Sequence, residues 1–85
     1  MKNSIFILFL LISGLVNGQK HIKLYESGIE KYDNGDFEGA ILEFTKAIEK
    51  FPKMTNAFHN RGLAKYELGE FKGAISDFTK AIEFN

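Results

Sequence analysis

Two stretches decide how this chain reads: GAILEFTKAIEKF at residues 39–51 and GAISDFTKAIEFN at residues 73–85. Each contains FTKAIE, first as Phe44 to Glu49 and again as Phe78 to Glu83, 34 residues later. The register extends outward from there. Gly28 aligns with Gly62, Lys31 with Lys65, Tyr32 with Tyr66, Gly35 with Gly69 and Phe37 with Phe71. Asp36/Glu70 and Glu43/Asp77 preserve charge across the same offset. Self-similarity at a fixed period of this size marks a repeat architecture, in which one supersecondary unit is written more than once.

The second half of each unit has helical spacing. Phe37, Ala40, Ile41, Phe44, Ala47, Ile48 and Phe51 form one apolar stripe, and Phe71, Ala74, Ile75, Phe78, Ala81 and Ile82 form its copy. Intervals of three and four residues place each set on one side of a helix. The alanines let another helix approach closely, and the phenylalanines fill the space between. The first half is helical too, with Ile22, Tyr25, Ile29 and Tyr32 on one face, matched by Asn56, His59, Leu63 and Tyr66. A second face carries Leu24 and Gly28, matched by Phe58 and Gly62. A glycine inside a helix costs about 1 kcal/mol relative to alanine. Its use at both equivalent positions predicts close contact between helix backbones.

Asn34-Gly35-Asp36 and Leu68-Gly69-Glu70 separate the halves. Asn-Gly often marks a β-hairpin, but the flanking periods are helical, so Gly35 and Gly69 read as left-handed helix stops. Asp36 is a good cap for the following helix and Glu70 a poorer one. Pro52 closes the second helix, and Thr55 or Asn56 can start the third. The expected helices run over about 21–34, 37–51, 55–68 and 71–84.

A 34-residue helix–turn–helix with Ala-x-x-x-Phe and a later proline resembles the tetratricopeptide repeat family. The signature positions are held by Gly28, Ala40, Phe44, Ala47 and Pro52 in the first unit and by Phe58, Gly62, Ala74, Phe78 and Ala81 in the second. Two positions depart from the family pattern: Ser27 and Arg61 replace a usual leucine, and Lys31 and Lys65 replace a usual tyrosine. The resemblance implies an all-α fold, an α-solenoid of two tandem hairpins with right-handed superhelical stacking. Repeat one would span 21–54 and repeat two 55–85, the latter incomplete at its C-terminus. Gly28, Gly62 and the signature alanines and phenylalanines would then be inter-helix packing residues.

The first residues have a different composition. Met1-Lys2-Asn3-Ser4 carries one positive charge, Ile5–Val16 is an apolar run, and small or modest residues surround Gly18. This is the layout of a secretory signal. Twelve residues make a helix of about 18 Å, short of the roughly 30 Å hydrocarbon core, which argues against a membrane anchor. The expectation is a signal peptide over 1–18 and a domain over 19–85, exported to the periplasm or secreted. An N-terminally anchored protein is the alternative, with membrane contact only through the uncleaved segment.

Eleven basic and eleven acidic residues cancel, which gives no footprint for nucleic acid. With no cysteine, the chain has no disulfide, thiolate metal site or cysteine nucleophile. His21 and His59 are the only histidines, Ser27 and Ser76 lack a base at a motif spacing, and the glycines do not cluster into a phosphate loop. Asp33, Asp36, Glu38, Glu43, Glu67, Glu70, Asp77 and Glu83 read as carboxylates on solvated helix faces. The expectation is therefore no enzyme, no metal and no cofactor.

Binding is the remaining function class. The resemblance implies a concave groove lined by the first helix of each repeat. From repeat one it takes Ile22, Tyr25, Glu26, Ile29, Tyr32 and Asp33; from repeat two, Asn56, His59, Asn60, Leu63, Tyr66 and Glu67. Tyr25 and Tyr66 can either face the groove or pack between hairpins. Some family members clamp a terminal carboxylate with lysine and asparagine, but Tyr25 and Ile29 occupy the first-repeat positions and only Asn60 matches. The expected role is an exported, non-enzymatic scaffold for a protein or peptide partner. The alternative is the N-terminal part of a longer exported repeat protein. Phe78, Ile82 and Phe84 are candidates for self-association through the last helix. N-terminal sequencing of protein from its native host should find Gln19 first; intact Met1 chains in a membrane fraction would contradict the signal reading.

Overall fold

The computed structural model describes residues 22–85; the expected signal over 1–18, its cleavage point and His21 lie outside them. Among the described residues the fold is all-α, with no strand. Helix α1 covers 22–33, α2 Phe37–Lys50, α3 Thr55–Glu67 and α4 Phe71–Phe84. They form two successive helical hairpins, and α3 packs against both α2 and α4. No helix among the described residues is long and apolar enough to cross a membrane.

The helix ends follow from local chemistry. Gly35 and Gly69 have φ of 81° and 79°, the left-handed region that a side chain resists. At the first turn Gly35 N donates to Tyr32 O at 2.9 Å and Asp36 N to Lys31 O at 2.8 Å. Gly69 N to Tyr66 O at 2.9 Å and Glu70 N to Lys65 O at 2.8 Å repeat the pattern. Both are Schellman closures, which satisfy carbonyls the helix leaves open. Asp36 Oδ1 accepts from Gly39 N at 2.9 Å and caps α2, whereas Glu70 makes no side-chain cap. Helix α3 starts at Thr55, one of the two expected positions, with Met54 at the cap position making no side-chain bond. A backbone bond from Ala57 N to Met54 O at 3.0 Å closes that turn instead.

The core sets small residues around two buried rings, Phe44 and Phe58. Ala40, Phe44, Ala47, Ala57 and Ala64 have no exposed surface, and Ala74 and Ala81 are nearly as buried. Around Ala40, Phe44 and Ala64 pack Tyr25, Ile29, Tyr32, Phe37 and Ile41. At both helix glycines the nearest atoms are those of a phenylalanine ring. A Cβ on Gly28 would lie 2.5 Å from Phe44 Cε1, and one on Gly62 would lie 2.7 Å from Phe78 Cε1. At Gly62 the expected approach of a partner backbone is present too, with Ala74 O at 3.3 Å from that Cβ. Each hairpin is thus closed by a phenylalanine ring seated on a glycine of the opposite helix.

Gly28→Ala should therefore destabilise the fold. Alanine gains about 1 kcal/mol of helix propensity, but displacing the Phe44 ring costs more, within the roughly 1–3 kcal/mol typical of overpacking. Combining it with Phe44→Leu should make the alanine harmless or favourable. Thermal unfolding followed by circular dichroism checks both; a Gly28→Ala melting point at or above wild type would refute the seating. Ala74→Leu should fail for the same steric reason.

Candidate interaction surface

The twelve expected groove residues lie on α1 and α3, and the structure brings the two sets together at one point. Asn60 Nδ2 donates to Tyr25 Oη at 2.7 Å, joining the first helices of the two hairpins. This side-chain bond spans 35 residues of sequence. Ile22, Glu26, Asp33, Asn56, His59, Tyr66 and Glu67 are exposed; Tyr25, Ile29, Tyr32, Asn60 and Leu63 are half-buried. The surface therefore has a polar bridge near its middle and apolar side chains around it. No lysine or arginine is among the twelve.

The rings on this face stand on the rings beneath. Tyr25 packs against Phe44 with centroids 5.8 Å apart, and His59 against Phe78 at 5.6 Å. Tyr32 meets Phe37 edge-on at 5.2 Å, and Tyr66 meets Phe71 in the same way at 5.3 Å. Each pair recurs at the equivalent position of the other hairpin. This resolves the two readings of the tyrosines: they pack and face outward together. Tyr66 keeps 56% of its surface exposed while its ring rests on Phe71. Such rings lose little freedom when a partner covers them, because the layer below already holds them.

Behind the surface lies a polar cluster that corrects one expectation. Asp77, read as a solvated carboxylate, is 2% exposed. Arg61 Nε donates to its Oδ2 at 2.8 Å and Arg61 Nη2 to its Oδ1 at 2.7 Å, a two-pronged contact. Lys65 Nζ lies 3.0 Å from Oδ2. Arg61 Nη1 also donates to Thr45 Oγ1 at 3.1 Å, and the guanidinium lies 5.4 Å from the Phe58 ring centre. One side chain of α3 thereby ties α2 to α4. Arg61 and Lys65 both act with Asp77. The signal available in the sequence was that the three sit together in hairpin two, where hairpin one has Ser27, Lys31 and Glu43.

Burial pushes the Asp77 carboxyl up, but the hydrogen bonds and charges of Arg61 and Lys65 outweigh it and hold the group below its ordinary value. No buried side-chain polar atom among the described residues lacks a partner.

Clefts lie off the candidate surface. One of about 440 Å³ is lined by Glu38, Ile41, Leu68 and Glu70, and another of about 300 Å³ by Ser27, Glu30, Lys31, Asn34 and Asp36. Neither of these two clefts includes a groove residue. Among the described residues no three His, Asp or Glu side chains gather as a metal site. No protein-family model matches the chain, and no curated protein is significantly similar to it.

The Asp77 cluster has a definite acid dependence. Because its carboxyl titrates lower in the folded state, its stabilisation is complete above the unfolded value of about 3.9 and disappears as the pH falls through the folded value. Asp77→Asn at neutral pH should lose roughly 3 kcal/mol, the low end for breaking a buried ion pair, because Arg61 and Lys65 are partly exposed. The gap in melting temperature between wild type and variant should narrow below about pH 4. A gap that is negligible at neutral pH, or constant with pH, would refute the assignment.

Proposed function

We propose that the chain is a non-enzymatic interaction module of the tetratricopeptide type, exported after removal of residues 1–18, whose α1–α3 face binds a protein or peptide partner. The observation that carries this reading is the Asn60–Tyr25 bond at 2.7 Å, which makes the faces of two hairpins one continuous surface. Exposed Ile22 and Tyr66 add apolar contact area on that face, while the rings below hold it in shape. Aromatic side chains with a packed body and a free polar tip are common anchors at protein interfaces. Export rests on the N-terminal composition, and the repeat family rests on the sequence signature together with the hairpin geometry.

Affinity capture with the chain, using the exported fraction of its own host, should retain a partner that Tyr66→Ala and Ile22→Ala together release. Both side chains are about half exposed, so helical content should change little. Equal retention by wild type and the double variant would refute this location for the binding surface.

A further inference from the structure

Helix α4 carries an outward stripe that no other described element covers. Phe71, Ile75 and Ile82 are 55%, 64% and 76% exposed. Of the residues expected there, only Ile82 belongs to this stripe: Phe78 turns toward His59 and Gly62, and Phe84 stacks on Phe58 with centroids 5.6 Å apart.

The molecule contains a covered version of the same surface. On α2, Ile41 packs beside a cluster completed by Ala64 of α3, and Ala57 is buried one heptad earlier. One repeat back, the positions of Ala57 and Ala64 are Lys23 and Glu30 on α1, both exposed. A second copy that laid its α1 on α4, as α3 lies on α2, would press an ammonium and a carboxylate onto isoleucine and phenylalanine. Burying such charges without partners is strongly unfavourable. The head-to-tail contact, which would otherwise propagate without closing, is blocked by α1, the first of the described helices.

We propose that α4 forms an isologous interface with a second copy of this chain, the two α4 helices lying antiparallel across Phe71, Ile75 and Ile82. A two-fold arrangement sets Ile75 against the partner's Ile82. Lys72 and Glu83 lie eleven residues apart, about three turns, and so flank the stripe on one side. Reversing the second helix brings Lys72 toward the partner's Glu83, and the symmetry makes the contact twice. Thr79, beside the stripe, already donates its hydroxyl to Ile75 O at 2.8 Å. Burial of the stripe therefore does not orphan it.

This proposal does not depend on the α1–α3 binding reading. Sedimentation equilibrium on the full chain, purified from its host with its natural N-terminus, should show a reversible monomer–dimer equilibrium. Ile75→Asp should leave only monomer with unchanged far-ultraviolet circular dichroism. Lys72→Glu should raise the dimer dissociation constant several-fold, and adding Glu83→Lys should restore it. A wild-type monomer at every concentration would overturn the proposal. So would growth beyond dimers, a dimer that survives Ile75→Asp, or a charge exchange without rescue.

Discussion

The seating of one phenylalanine ring on one helical glycine sets the geometry of each hairpin. Phe44 is fully buried and reaches the space a side chain on Gly28 would need; Phe78 stands in the same relation to Gly62. A glycine in a helix costs about 1 kcal/mol relative to alanine, so the sequence gives up intrinsic helix stability to let the ring in. Once that distance is fixed, the remaining core positions must be small. Alanines at 40, 47, 64, 74 and 81 meet that demand. The same rings serve a second layer, because Tyr25 and His59 rest on them from the other side. The packing that closes the hairpin thus also supports the surface proposed for binding.

The two hairpins are joined by different means from those that close each one. Between them the apolar contact joins Ala64 of the second hairpin to Ala40 and Phe44 of the first, with Ile41 packed alongside. The polar contacts add direction: Arg61 reaches Thr45 on α2 and Asp77 on α4 at once, and Asn60 reaches Tyr25 on α1. A guanidinium holding a carboxylate with two parallel bonds has a narrow preferred geometry. A slide of α3 by one residue along α2 would break the Thr45 contact, while Asp77, in the same hairpin as Arg61, holds the guanidinium that makes it. The Thr45 and Tyr25 contacts therefore act on register between the hairpins.

Much of this was legible because the sequence states its packing twice. The period, the four helices, the left-handed stops at Gly35 and Gly69 and the cap at Asp36 could all be read from residue types at fixed spacing. What escaped were features that the two units do not share. Ala57 and Ala64 face Lys23 and Glu30 in the alignment, so comparing repeats hid a buried side of α3. Of the Arg61–Asp77–Lys65 cluster only Arg61, opposite Ser27, is unshared, since Lys65 and Asp77 match Lys31 and Glu43, and each member, taken alone, looks like an ordinary surface charge. Only the fold shows that residues 16 apart point at one another. The phenylalanine rings at the helix glycines were also not legible, since spacing reveals that something comes close but not that a ring comes closest.

Identical letters consequently hold different physical roles. Ile41 and Ile75 occupy the same place in their repeats, yet one is half-buried beside Ala64 and the other is mostly exposed. Thr45 accepts from Arg61, while Thr79 turns its hydroxyl back to its own helix. The local sequences differ only at Leu42/Ser76 and Glu43/Asp77 between Gly39–Glu49 and Gly73–Glu83, so the difference follows chiefly from neighbours in the fold. On the opposite side the chain departs from repetition where repetition would be harmful: Lys23 and Glu30 make the outer side of α1 polar, so that it does not mimic α3. One side of the pair of hairpins is thereby unsuited to stacking, and the other keeps the residues that accept a helix. That asymmetry gives the two-hairpin unit a direction, with α4 left as the face on which a further helix can add apolar cover.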